Sequence, residues 1–287
     1  MGVVLKMMQT NKLNGIEIVR QMLINLFLLF GGIIMVTPFL WMAFASVKAE
    51  AEIILIPPTI LPRSVTLQNF VSVFKEIPLA RYFLNSCINT LGQTLPGIVL
   101  VSVTGYALAK MNFVGKKVML LIIIATMMVP FHIRLVPLYM MMVDFDWVDT
   151  YWAIIIPGIM GPFGVFLFRQ TFLSMPTELI DSAKIEGCGA FRIFWSIALP
   201  LVRATIATFT IFAFMWNWTD FLWPLVVIHS ELMKPLEVGL TRFMAARYSV
   251  YGKVMAGSFL SVLPVLAVFL VLQKQFIKGI TLTGLKG

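Results

Sequence analysis

The sequence is poor in charge and in cysteine, and both shortages narrow the class of protein. Only 12% of its 287 residues are Asp, Glu, Lys or Arg, whereas roughly 25% are charged in an average soluble domain. With 60% hydrophobic residues and a mean hydropathy of +0.93, this composition excludes an ordinary soluble domain. The two cysteines, Cys87 and Cys188, fall in what we interpret as different compartments, so a disulfide framework is not expected.

The sequence also lacks the motifs of the common enzyme classes. It has no Gly-x-x-x-x-Gly-Lys-Ser/Thr phosphate loop, so the chain is not expected to hydrolyse ATP by itself. No nucleophile, metal-ligand spacing or acid–base constellation is present, which predicts neither an enzyme nor a chain with its own cofactor or metal. The net charge of +9 would suggest nucleic acid in a soluble protein, but the basic residues lie in short loops between apolar segments. There they indicate membrane topology, and no nucleic-acid partner is expected.

Long apolar segments dominate what is present. A helix that crosses the hydrocarbon core of a membrane needs about 20 apolar residues. Six windows reach that length: residues 22–47, 84–108, 118–142, 151–172, 201–228 and 254–272. The first is longer than the apolar core of a signal peptide, so we interpret it as an uncleaved helix. We therefore predict an all-α integral membrane protein in which residues 1–287 form a single transmembrane domain of six helices.

The loops between the windows predict the orientation of the chain. Basic residues near the ends of spans favour the cytoplasmic side. The short connection 143–150 carries Asp144, Asp146 and Asp149 and no basic residue, which favours the outer side. With six crossings, this placement puts both termini in the cytoplasm.

Two windows carry residues suited to contacts inside a helix bundle. The fourth has Gly158, Gly161 and Gly164 at spacing three, which permits close helix contact, and we favour ordinary packing over a transport role for them. The second is rich in polar side chains that should face other helices or a cavity rather than lipid. They are Asn85, Ser86, Asn89, Thr90, Gln93 and Thr94.

The loop at residues 176–200, between the fourth and fifth windows, predicts two short helices. Pro176 suits a first helical turn, and Glu178 and Asp181 lie near the positive N-terminal end of the first helix. Gly187 is a natural C-terminal stop. The second helix should run from about residue 190 to residue 197 and end before Pro200.

One face of the first loop helix predicts a docking surface. Leu179 and Ala183 stand at i and i+4, which gives a small apolar ridge that fits a groove on another protein. The alternative is a connector that rests on the lipid headgroups.

The same loop resembles the EAA loop of permeases in binding-protein-dependent ABC importers, in which Glu-Ala-Ala precedes Gly and then Ile-x-Leu-Pro. Asp181 stands here where Glu is usual, and Ser182 where Ala is usual. In that family the loop forms a coupling helix that docks into the ATPase subunit. The resemblance implies ATPase-coupling roles for Glu178, Leu179, Asp181, Ser182, Ala183, Gly187, Leu199 and Pro200.

Residues 105–113, 216–225 and 275–287 resemble the carbohydrate-uptake permeases typified by the second permease subunit of the maltose importer. The resemblance covers nearly the whole chain. It implies a permease subunit of the prokaryotic inner membrane that forms half of a sugar pathway. Its implied partners are a second permease subunit, two ATPase subunits that bind ATP and Mg²⁺, and an extracytoplasmic solute-binding protein. The alternatives are an importer of glycerol phosphate or another polyol derivative and, outside the family, an ion-coupled secondary transporter.

The fifth window contains the candidate substrate-pathway residues. Asp220 lies well inside an apolar window and should face water or a partner. Trp216, Asp220 and Trp223 at i, i+4 and i+7 predict a stripe of indole rings around a carboxylate, which suits a sugar. For Trp223 alone we favour a place in the aromatic belt at the membrane interface. The candidate pathway residues are Trp216, Asn217, Trp218 and Asp220.

Overall fold

The computed structural model describes residues 15–244 and 250–284, and all regular structure in these ranges is helical. The final residues of the tail that resembles carbohydrate permeases, 285–287, lie outside the described residues. The α-helices are α1 Gly15–Ser46, α2 Glu50–Ile53, α3 Gln68–Glu76, α4 Leu79–Lys110, α5 Lys116–Met128, α6 Phe131–Asp144, α7 Tyr151–Gly158, α8 Pro162–Leu173, α9 Glu178–Ile185, α10 Ala190–Ile193, α11 Leu199–Leu201, α12 Arg203–Trp218, α13 Leu222–Val227, α14 Leu236–Leu240 and α15 Tyr251–Gly284. A π-helical segment spans Phe194–Ala198, and 3₁₀ turns span Glu231–Met233 and Thr241–Phe243.

Four helical segments of the described chain are long and apolar enough to cross a membrane. They are Val19–Ser46, Leu79–Lys110, Tyr151–Leu173 and Tyr251–Lys274. The count rises to six when each of two sharply bent helix pairs is taken as one span. The all-helical membrane class is thus confirmed, and the number of six crossings stays a prediction.

Proline explains the bend in the third window. Helices α5 and α6 meet at 104°. Pro130 stands between them and has no backbone N–H to continue the ladder of α5, so the helix ends at Met128. A second helix then begins at Phe131.

The fifth window is interrupted twice. The segment Ala190–Leu201 meets Arg203–Val227 at 79°, with the turn at Val202. A second break separates Trp218, the end of α12, from Leu222, the start of α13. Pro224 accounts for it, because a helix running through this residue would bring the proline ring against the carbonyl of Asp220.

Helix α4 lies at the centre of the bundle, with its polar face turned inward. It packs most extensively against α8 and also contacts α12 and α7. Asn85 is fully buried and donates to the carbonyls of Leu232 (2.8 Å) and Lys234 (2.9 Å), while Tyr151 donates to its Oδ1 (2.7 Å). The prediction that the polar side chains of this window avoid lipid is confirmed, since all six are buried.

The glycines of the fourth window allow close contact at two of three positions. A Cβ added at Gly158 would lie 1.7 Å from Oε1 of Gln93, and one at Gly164 would lie 2.4 Å from the ring of Phe209. Gly161 has nothing within 4 Å and instead precedes the proline that starts α8. Packing thus explains Gly158 and Gly164, and Gly161 belongs to the break between α7 and α8.

Candidate functional site

The first helix of the 176–200 loop is α9, and it ends in a Schellman motif. Gly187 has a φ of +78°. Its N–H donates to the carbonyl of Lys184 (2.9 Å), and the N–H of Cys188 donates to the carbonyl of Ala183 (2.9 Å). This pair of bonds satisfies the last carbonyls of the helix, and glycine adopts the required left-handed conformation without strain. The predicted stop at Gly187 is confirmed.

The two faces of α9 have different environments. Ile180 and Ala183 are buried and join an apolar cluster with Phe172, Met175 and other side chains of the bundle. The opposite face, Glu178, Ser182 and Ile185 at i, i+4 and i+7, is exposed, and the Ile185 side chain is 88% exposed. We call these three residues the exposed face of α9.

The sequence-based assignment of Ala183 to the docking ridge is wrong. Its side chain is only 4% exposed and anchors the loop to the bundle. The assignment failed because i, i+4 spacing identifies an apolar face but does not say which partner covers it. Of the predicted ridge, Leu179 remains partly exposed, at the flank of the exposed face.

The loop is joined to the end of α4. The ring of Tyr106 contacts Phe172 and Phe194 with centroids 5.3 Å apart in both pairs. Lys110, at the last position of α4, also donates to Thr177 just before α9 (3.2 Å). Packed rings and a charged hydrogen bond therefore connect the loop to the end of α4.

The second half of the loop differs from the prediction. The helix does not end before Pro200: it passes through the π-helical segment Phe194–Ala198 and a further α-helical turn, Leu199–Leu201, to the bend at Val202. The wider π turn accommodates the missing N–H of Pro200. Leu199 and Pro200 are half-buried at this elbow.

The predicted indole stripe around Asp220 does not form, because the helix is broken between Trp218 and Leu222. Trp223 is buried, and its indole N–H donates to the carbonyl of Ala153 (2.8 Å), so the aromatic-belt assignment is wrong. The Asp220 carboxylate lies against the backbone N–H of Trp223. Asp220 and Trp223 therefore interact at the start of α13 and do not lie along one stripe of a continuous helix.

Of the remaining pathway candidates, two line a common cavity. Trp216 and Asn217 border a space of about 60 Å³ between α4, α8 and α12. The amide of Asn217 donates to Thr94 of α4 (3.2 Å). Trp218 points elsewhere: its ring stacks on Phe214, and its indole N–H donates to the carbonyl of Ser261 (2.9 Å).

Sequence reasoning missed Gln93 as a site residue. It borders the same cavity and is 5% exposed, and its Nε2 has no hydrogen-bond partner. The signal was available, because Gln93 belongs to the polar stretch of the second window.

At the opposite end of the bundle, acidic side chains accept hydrogen bonds from the connection that follows α13. Asp149 accepts hydrogen bonds from the backbone N–H groups of His229 (3.0 Å) and Ser230 (2.9 Å) and from the Ser230 hydroxyl. Partial burial raises the pKa of Asp149, but these hydrogen bonds outweigh burial and hold it below the ordinary value of 3.8. The pKa of Glu231 is also lowered, by hydrogen bonds from Lys234 and Tyr82. These contacts fix the connection that follows α13. Among the described residues, no group of His, Cys, Asp and Glu side chains could hold a metal ion.

Comparison with curated proteins finds relatives over almost the full length. The chain is 36% identical to the arabinooligosaccharides transport system permease protein AraQ of Halalkalibacterium halodurans, over 90% of this chain and 94% of the relative. It is 30% identical to the sn-glycerol-3-phosphate transport system permease protein UgpE of Brucella abortus (strain 2308), over 90% of this chain and 95% of the relative.

The fold matches that of a solved transporter. The structure of a bacterial ABC transporter involved in the import of the acidic polysaccharide alginate superposes with a TM-score of 0.79, covering 93% of this chain and 100% of that chain at 21% identity. Residues 97–281, which include the whole 176–200 loop, match the profile of the binding-protein-dependent transport system inner membrane component. The chain is therefore a multi-pass inner-membrane permease, and it belongs to the family of inner-membrane components of binding-protein-dependent transport systems.

Proposed function

We propose that this chain is one permease subunit of an ABC importer for a saccharide. It forms half of a membrane pathway together with a second permease subunit. Two ATPase subunits bind ATP and Mg²⁺, and an extracytoplasmic solute-binding protein delivers the substrate. Both termini lie in the cytoplasm. The arabinooligosaccharide relative, at 36% identity, favours a saccharide over glycerol phosphate, which is the second candidate because a 30% identical relative transports it.

The geometry of α9 carries the coupling part of this proposal. One face of the helix is fixed to the bundle by Ile180 and Ala183, and the other is exposed through Ser182 and Ile185. A short helix that is anchored on one side and free on the other suits transmission of a rigid-body movement from a docked partner. Burial of the large exposed side chain of Ile185 in a cleft would contribute roughly 1.5–3 kcal/mol to docking.

Asp181 and Lys184 flank this face and form an ion pair at 3.0 Å. Both side chains are largely exposed, so the pair stabilises the helix by less than about 1 kcal/mol. Their charges are thus available to an approaching partner. Leu199 and Pro200 act further from the partner, at the elbow where the loop enters α12.

Reconstituted transport tests the proposed function. The chain is purified with its second permease and ATPase subunits and placed in proteoliposomes with the solute-binding protein. We expect ATP-dependent accumulation of a neutral oligosaccharide such as arabinotriose, and none without ATP. Accumulation driven by a proton or sodium gradient without ATP would contradict the proposal, and ATP-dependent uptake of sn-glycerol 3-phosphate in place of the saccharide would favour the second candidate.

A further inference from the structure

A column of buried polar atoms runs along one face of α4 without hydrogen-bond partners. Both side-chain polar atoms of Asn89, the hydroxyl of Thr90 and Nε2 of Gln93 are buried and unpaired in the described structure. Leaving such groups unpaired in an apolar bundle is unfavourable, so they require a polar occupant. Their neighbours at either end, Ser86 and Thr94, are paired with protein groups.

Of these residues, Gln93 borders a cavity with space for such an occupant. It lies at the break between α7 and α8, where Gly161 has nothing within 4 Å and Gly158 lets the Gln93 side chain approach closely. The Oε1 of Gln93 occupies the position that a Cβ at Gly158 would take. At about 60 Å³ the cavity holds a few water molecules or the hydroxyl-bearing edge of a larger molecule.

Aromatic side chains form one wall of this cavity. Phe163 and Trp216 both line it, and their rings meet edge to face with centroids 5.7 Å apart. The Trp216 side chain is 56% exposed, so much of its ring is free to contact a ligand. Exposed aromatic rings beside amide groups suit a pyranose or furanose, whose C–H face packs on a ring while its hydroxyls bind the amides.

The charge of the lining distinguishes between the two candidate substrates. Among the described residues that border the cavity, none is charged. A phosphate would need a cation or several donors to replace its hydration, whereas a hydroxyl is satisfied by the amides of Gln93 and Asn217. The lining therefore fits a neutral polyhydroxylated ligand.

We infer that Gln93, Asn217 and Trp216 form a binding subsite on this chain for the hydroxyl-bearing edge of a neutral saccharide in transit. The two amides bind the hydroxyls, and the ring of Trp216 packs against the sugar. The subsite rests on the proposed function, because a saccharide reaches this depth of the bundle only through transport.

The first test separates ligand binding from folding. Gln93→Leu removes the buried Nε2 that has no hydrogen-bond partner, so it should leave the thermal stability of the complex unchanged or raised. In the complete importer we expect arabinotriose uptake per ATP hydrolysed to fall about tenfold, the effect of one hydrogen bond. Thr171→Val is the matched control, since Thr171 is a polar residue of the same bundle paired with Thr205 away from the cavity (3.0 Å). Unchanged uptake in Gln93→Leu would overturn the inference.

Protection of an introduced thiol tests the ligand class directly. Gln93→Cys is made in a Cys87→Ser, Cys188→Ser importer that still transports, and its reaction with a small thiosulfonate is timed with arabinotriose, maltotriose, lactose or sn-glycerol 3-phosphate present. We expect slower reaction with a saccharide that the wild-type importer takes up, and no change with sn-glycerol 3-phosphate. Equal rates throughout would mean that the cavity holds water only, and protection by the phosphate would contradict the neutral class. If the wild-type importer takes up no saccharide, the proposed function fails; if it does and the variants behave as wild type, only the subsite fails.

Discussion

The Nζ atom of Lys110, at the end of α4, lies 2.6 Å from the carbonyl oxygen of Met175, three residues before α9. This bond joins the most buried helix of the bundle to the loop proposed to receive the ATPase. A hydrogen bond from a charged donor contributes about 1.5–3 kcal/mol. We therefore expect this bond to contribute to coupling between α4 and the loop.

Loss of this bond should uncouple the loop without unfolding the protein. We expect Lys110→Met to insert normally and to lower saccharide uptake per ATP hydrolysed several-fold. Lys116→Met is the control, because Lys116 donates to a carbonyl outside the loop, that of Met111 (2.8 Å). Equal coupling ratios for the two variants would show that the bond at Met175 plays no part in transmission.

Overpacking at Ala183 should destabilise the protein. The side chain is buried against the bundle, so Ala183→Leu forces additional methyl groups into a filled space at a cost of about 1–3 kcal/mol. Ser182→Leu, one position away on the exposed face, should leave the stability unchanged. Thermal unfolding of the two variants in detergent measures the difference. A stable Ala183→Leu variant that fails to bind the ATPase would restore Ala183 to the docking surface.

Any side chain added at Gly187 should destabilise the end of α9, because of the backbone conformation there. At a φ of +78°, an alanine costs about 1–2 kcal/mol even though nothing lies within 4 Å of the added Cβ. Gly189→Ala is a close control: Gly189 also has open space around it, but its φ is −68°. We expect Gly187→Ala to lower the temperature at which ATPase activity becomes uncoupled from uptake, and Gly189→Ala to leave it unchanged. The reverse order would rule out backbone strain as the reason for glycine here.

The acid sensitivity of the opposite end of the bundle should depend on Asp149. Because its folded-state pKa is depressed, its stabilising contribution is present above the unfolded value of 3.8 and is lost as the pH falls through the lower folded value. Asp149→Asn should therefore flatten the pH dependence of the unfolding temperature below about pH 5. Asp144→Asn, in the same region, is the comparison. An unchanged acid profile in Asp149→Asn would contradict the assigned hydrogen bonds.

The sequence correctly predicted which side chains are buried and where helices end when the outcome depends on residue type and immediate sequence neighbours alone. The polar face of α4 is turned inward because unpaired polar groups are unfavourable in lipid. Gly187 follows the end of α9 because this position adopts a positive φ, which glycine takes without strain. The indole stripe failed because helical periodicity assumes an unbroken helix, and Pro224 breaks this one. That proline was visible in the sequence.

Other features depend on which partner covers a surface, which no local rule supplies. Ala183 was assigned to the wrong face of α9 for this reason, and Gln93 was expected to face other helices or a cavity but was not assigned to the candidate site. Both required the positions of α4 and α8 relative to the loop and to α12. Tertiary packing, not residue type, decided these two sites.

The central claim, that the exposed face of α9 couples this permease to an ATPase, is tested most directly by Ile185→Lys. A lysine near the C-terminal end of α9 is compatible with the helix dipole, and the side chain is 88% exposed, so folding and insertion should be normal. Ile60→Lys is the matched control, because Ile60 is also an exposed isoleucine, in the connection between α2 and α3. The measurement is the amount of ATPase subunit that co-purifies with the permease pair, together with ATP-driven uptake. We expect Ile185→Lys to lose both ATPase binding and uptake, whereas the wild type and Ile60→Lys keep ATPase binding. An Ile185→Lys importer that retains its ATPase and transports at the wild-type rate would contradict the claim.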